Sequence, residues 1–165
     1  MPSYRKRSSR ERSLVGFRVD GLHYALSIDM VREIIRPLDA VEMPHLPAAV
    51  VGVADHRGAV VPIVDLRNLF GRGDSVPTNR TKWVVIGRGE SSPSVGLIVD
   101  SVVGVFGVTE EAARTAPPWA QEQIDAGMGD VVSRDGELVF VLDADAVMDP
   151  HLRALARAEM PERLP

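Results

Sequence analysis

The chain has no cysteine in 165 residues, which removes thiol nucleophiles, disulfides and cysteine-based zinc or iron–sulfur sites together. Aromatic residues are scarce. Two Trp, two Tyr and four Phe are too few for a platform that stacks unpaired nucleic-acid bases. The four histidines, His23, His45, His56 and His151, lack the i, i+4 spacing of a helical metal pair. No apolar run is long enough to span a bilayer, and the first residues lack the apolar core of a signal peptide. These absences predict a cytoplasmic chain with no direct membrane insertion, no nucleic-acid partner, no metal and no cofactor.

What is present suffices for a real core: 45% of the residues are hydrophobic and 25% charged, which suits one domain or two small subdomains. The net charge of −4 is uneven, because Arg5, Lys6, Arg7, Arg10 and Arg12 face Glu11 alone within residues 1–12. A basic tail can touch nucleic acid or an anionic membrane, but the composition favours a solvated, disordered start. The expected organisation is a basic disordered tail over 1–13, a folded domain over 14–150 and a C-terminal helical extension over 151–165.

The chain is organised around residues 49–70. Two apolar runs, Val50 to Ala54 and Ala59 to Val64, flank the polar tip Asp55-His56-Arg57-Gly58 and read as a β-hairpin. Asp65 then stands where a helix N-cap belongs, before Leu66, Leu69 and Phe70 at helical spacing. Similar hairpins are expected around Asp20-Gly21 and Arg134-Asp135-Gly136, and a strand pair over Lys82–Arg88 and Ser94–Val99. Asp29 is expected to cap a helical turn through Ile34, Thr109 a short helix, and Asp143 a helix that Pro150 interrupts. Residues 71–80 read as a linker or long loop, and Pro62 predicts an edge strand or a bulge.

A shift of 78 residues lays the central hairpin on the last one: Val53 on Val131, Gly58 on Gly136, Asp65 on Asp143. A shift of 71 lays Leu26, Ile28, Asp29 and Val31 on Leu97, Val99, Asp100 and Val102. The order of units is the same twice, which predicts a duplicated, mainly β fold. Two small antiparallel barrels of about five strands each are expected, with short helices and a C-terminal helix. A groove between such halves would be lined by Val31, Ile34, Leu97, Val99 and Val102.

Enzyme readings find little support. His56 beside Asp55 is half of an acid–base site at most, and a hydrolase using these two with Asp143 is a remote alternative. Gly71-Arg-Gly73 and Gly87-Arg-Gly89 lack the pattern of phosphate loops, and no serine sits in a nucleophile elbow.

The string Gly52-Val-Ala-Asp-His-Arg-Gly-Ala-Val-Val-Pro-Ile-Val-Asp-Leu-Arg67 resembles the signature of the CheW-like chemotaxis coupling domain, with supporting matches across residues 17–148. The resemblance implies two intertwined, five-stranded SH3-like barrels. It also implies a non-enzymatic adaptor bridging the cytoplasmic tip of a chemoreceptor (a methyl-accepting protein) and the regulatory domain of a CheA-type histidine kinase, at membrane-associated or cytoplasmic receptor arrays. Val31 and Glu33 match motif positions near the receptor groove, and Arg57 matches the motif arginine. With Ile34, Gly52, Asp55, His56, Gly58, Leu97, Val99 and Val102 they form the expected receptor- and kinase-binding set. The family usually has Asn-Leu where this chain has Asp55-His56, so Asp55 is placed to pair with Arg57 and His56 adds a titratable ring. That departure leaves open an alternative, a specialised module that binds a receptor or other regulator without a typical kinase contact.

Overall fold

The computed structural model describes residues 11–115 and 127–157. Eleven strands are present among them: β1 (Glu11–Val19), β2 (Leu22–Ser27), β3 (Val31–Ile35), β4 (Val50–His56), β5 (Ala59–Asp65), β6 (Lys82–Gly87), β7 (Ser94–Val99), β8 (Ser101–Thr109), β9 (Ala113–Thr115), β10 (Met128–Arg134) and β11 (Glu137–Leu142). Two helices, α1 (Leu66–Leu69) and α2 (Ala144–Arg157), follow the equivalent strands β5 and β11.

The expected hairpins form because their turn residues tolerate positive φ. Asp20-Gly21, Arg57-Gly58 and Asp135-Gly136 all have both central residues in the left-handed region, the two-residue turn that matches strand twist. The caps at Asp65 and Asp143 also form. The Asp65 carboxylate accepts from the Arg67 N–H at 3.1 Å, and that of Asp143 from the N–H groups of Asp145 and Ala146.

The strands make two intertwined sheets, each curled into a small SH3-like barrel. One has the order β8-β1-β2-β11-β10-β9 and the other β3-β6-β7-β5-β4. The first carries a sixth strand because the three-residue β9 adds to the edge of β10. The duplication is visible in the ladders. Parallel β5 and β7 pair Ile63 with Gly96; shifting these by 78 and back by 71 lands on Val141 and Ala25, which pair in parallel β11 and β2. Likewise β3 pairs Val31 with Ile86 while β8 pairs Val102 with Phe17, and both ladders slip at the next residue. In each repeat the first two strands stay in one sheet and the next strand crosses to the other. The barrels are therefore exchanged rather than strung in series.

Each sheet buries two faces. Leu14, Ala25, Phe106, Val132 and Val139 fill the first barrel; Ala54, Val61, Ile63 and Trp83 fill the second. Between them lies the largest cluster, with Phe17, Tyr24, Leu26, Val64, Leu66, Val84, Ile86, Leu97 and Val99 joined by Val147 and Met148 of α2.

Several expectations are corrected. Val31–Ile35 is a strand, not a helical turn, because Val31, Ile34 and Ile35 pair along β6; Asp29 sits in a three-residue 3-10 turn that has no side-chain cap. Pro62 is in an interior strand, tolerated because β5 pairs with β7 only from Ile63 onward. Of the two readings of residues 71–80 the long loop holds and the linker does not: they run between the two repeats of the sequence but return the chain from α1 to β6 within one sheet. β1 already includes Glu11, Arg12 and Ser13 of the expected tail, and α2 runs through Pro150 because Val147, Met148 and His151 are buried on both sides of it. Most of the 1–13 tail and residues 158–165 lie outside the described residues.

Two histidines are buried, at 3% exposure for His23 and 5% for His151. Burial lowers the pKa of both, and the Arg18 guanidinium lowers that of His23 further. In the unfolded chain they titrate near their ordinary value of about 6.5, so below it the unfolded state binds more protons. Stability is expected to hold above that pH and to fall as pH drops through the lowered native values. Urea midpoints at pH 7.5 and 5.5 measure this, and a midpoint that does not fall contradicts it.

Candidate functional site

The tip of the β4–β5 hairpin is a short, well-tied structure. Asp55 Oδ1 accepts from the Gly58 N–H at 2.9 Å, which closes the turn, and His56 pairs with Ala59 across it. This holds the Asp55 carboxylate away from the role expected of it. Arg57 pairs instead with Glu33: Arg57 Nη2 donates to Glu33 Oε1 at 2.8 Å, while His56 Nε2 lies 3.0 Å from Glu33 Oε2.

Glu33 is on β3 and His56 on β4, the two edge strands of the second sheet. One carboxylate therefore clasps both edges where no backbone ladder joins them. The Glu33 and His56 side chains are about one-third and one-sixth exposed, whereas that of Arg57 is 75% exposed. The guanidinium is held at one end and presents its remaining donors to solvent, an arrangement suited to carbonyl or carboxylate acceptors on a partner. The first barrel closes with different chemistry. At the places equivalent to Glu33 and His56 stand Gly104 and Arg134, and the Arg134 guanidinium lies 4.1 Å over the Phe106 ring.

The remaining expected site residues divide by burial. Val31 and Val102 are half-buried against the central core, and Ile34 is 40% exposed on the β3 edge. Leu97 and Val99 are fully buried and cannot line an open groove; they belong to the core between the barrels. Gly52 is buried, and a Cβ there would lie 2.5 Å from the Val41 carbonyl oxygen, so its smallness serves the β4 packing. Gly58 supplies turn geometry with φ of 80°.

A charged seam between the barrels escaped sequence reasoning. Arg67 Nη2 donates to Asp100 Oδ2 at 2.7 Å and Arg67 Nη1 lies 3.5 Å from Asp20, which also meets Arg72. The Asp20 N–H donates to the same Asp100 oxygen at 2.7 Å. This ties the β1–β2 turn of one barrel to α1 of the other. Only the recurrence of Asp29 as Asp100 hinted at it. Within the first sheet, Arg18 of β1 and Glu137 of β11 join in two parallel hydrogen bonds, which hold the Glu137 carboxyl below the usual carboxylate range.

No acid–base constellation assembles from Asp55, His56 and Asp143. The first bonds its own turn, the second meets Glu33, and Asp143 caps α2 after a strand of the other sheet. Among the described residues no group of three or more His, Asp or Glu side chains converges as a metal site.

A family model described as the CheW-like domain matches residues 13–150. The chain belongs to the CheW-like family. It is 34% identical over 145 residues to the chemotaxis protein CheW of Rhizobium meliloti, covering 88% of this chain and 92% of that protein. It is 29% identical over 136 residues to the CheW of Bacillus subtilis, covering 82% and 86%. The crystal structure of the scaffolding protein TtCheW from Thermoanaerobacter tengcongensis superposes with a TM-score of 0.72 at 21% identity, over 84% of this chain and 88% of that one. This CheW-like chain is a non-enzymatic adaptor of chemotaxis-type signalling. No helix among its described residues is long and apolar enough to cross a membrane.

Proposed function

We propose that the chain couples the cytoplasmic tip of a chemoreceptor to the regulatory domain of a CheA-type histidine kinase, in the cytoplasm and at receptor arrays. The observation that carries this reading is the Glu33–Arg57 clasp, which fixes an exposed guanidinium on the edge of the second barrel. Beside it, Ile34 offers exposed apolar surface and Val31 and Val102 half-buried surface where the strands cross between barrels. Such a surface suits the apolar face of a helix with a polar rim. Weak contacts of this kind, repeated in an array, add through avidity.

Pull-downs with receptor tips and with the kinase regulatory domain test it, and failure of both to bind at micromolar concentration removes the reading. Arg57→Ala is expected to weaken partner binding by about tenfold or more, as Arg anchors do. It should leave the fold intact, since an exposed ion pair contributes only about 0–1 kcal/mol. Circular dichroism showing an unfolded variant would make Arg57 a structural pin instead. Deletion of residues 1–12 reaches into β1, so the tail is better tested by removing 1–10; receptor binding should not change.

A second reading rests on His56, which shares Glu33 with Arg57. In it the module binds a receptor or another regulator and makes no typical kinase contact. Titration with the purified kinase regulatory domain separates the two.

A further inference from the structure

A groove of about 610 Å³ opens at the end of the second barrel away from the Arg57 tip, between the chain after β3 and the loop before β6. Trp83 and Ile98 form its floor, and Leu38 and Val51, 43% and 38% exposed, stand on its walls. Its size is that of a site for a peptide side chain or two rather than for an ion. The charge is one-sided. Glu42, Asp65 and Asp74 line it, and among the described residues no Lys, Arg or His does. Asp65 is spent on the Arg67 and Ser75 N–H groups and the Ser75 hydroxyl, and Asp74 Oδ1 accepts from the Asn68 side-chain amide at 2.6 Å, which leaves the exposed Glu42 and the second Asp74 oxygen to face an occupant.

The chain carries a segment of the complementary kind. Residues 1–10 hold Arg5, Lys6, Arg7 and Arg10, no acid, and Tyr4 as an aromatic anchor beside the cations. We propose that this groove docks the basic N-terminal segment of a second copy of the chain. Tyr4 would enter between Leu38 and Val51, with the cations against Glu42 and Asp74.

Reach argues for a second copy rather than the same one. The Asp20 turn at the far end of β1 meets Arg67 and Arg72 beside the α1 cap, so Glu11 starts at the opposite end of that strand. Eight strand steps separate those ends by about 27 Å. Tyr4, fully extended back along β1, reaches about 24 Å from Glu11, so the groove of its own copy lies at the limit of that reach, whereas the groove of a second copy is under no such limit. Each copy offers one segment and one groove, so two copies that exchange segments close a dimer and one-way docking extends into a longer assembly.

Sedimentation velocity of the full chain from about 20 µM to about 1 mM tests this, a range that covers Kd values expected of one short segment. The sedimentation coefficient should rise with concentration. The rise should be lost in the R5E/K6E/R7E variant and separately in Leu38→Asp, both of which change exposed or terminal positions. Combining R5E/K6E/R7E with Glu42→Lys and Asp74→Lys should restore it. A chain that stays monomeric across the range overturns the proposal. So does association that survives either variant, or charge reversal on both sides that fails to rescue. The receptor and kinase surface proposed above lies at the Arg57 tip, at the other end of the barrel, so the pull-downs and the sedimentation series succeed or fail independently.

Discussion

Leu97→Ala is expected to destabilise the protein by about 3–5 kcal/mol, far more than any change at the exposed tip. Leu97 is 0% exposed and packs in the cluster that both barrels and α2 share, so truncation leaves a cavity that no single element can close. At this chain length the loss corresponds to a fall in Tm of about 10 °C. Thermal or urea unfolding measures it. If Leu97 lined an open groove, the same variant would keep its Tm and lose partner binding. A fall of only one or two degrees would therefore place Leu97 on the surface and contradict the core described above.

Gly52→Ala should cost about 3 kcal/mol for a different reason. The chain after β3 returns across β4, and Val41 and Val53 exchange two backbone hydrogen bonds at 2.7 and 2.9 Å. A methyl at Gly52, whose φ is 157°, would meet the Val41 oxygen at 2.5 Å and its carbonyl carbon at 2.9 Å. Backbone cannot rotate away as a side chain can, so the bridge must break or β4 must shift. The expected result is a lower urea midpoint together with faster amide exchange at Val41 and Val53. An unchanged midpoint would show that the segment 36–49 yields without cost.

Local signals were readable where one or two residues decide the geometry. Asp-Gly and Arg-Gly pairs announced hairpins, and Asp65 and Asp143 announced caps, because turns and caps are settled within four residues. Val31 to Ile35 went wrong for the opposite reason. Its sequence suits a helical turn after Asp29, and only pairing with β6, fifty residues on, makes it a strand. Closeness in sequence predicts an Asp55–Arg57 pair. In the folded protein the Gly58 N–H takes Asp55, and Glu33 arrives from the other edge strand.

The sequence by itself determined the duplication, the hairpins, the polar tip and the family, since all of these reside in spacing and in short strings. Tertiary structure alone decided which of the matching residues are surface and which are core. Leu97 and Val102 fall in equivalent registers with Leu26 and Val31, yet Leu97 is sealed between barrels and Val102 only half-covered. The physical reason is the exchange of β3 and β8. A strand that crosses to the other sheet acquires neighbours from the other half of the chain, and burial is set by those neighbours. The same crossing carries Glu33 to the edge opposite β4 and so holds Arg57 in place.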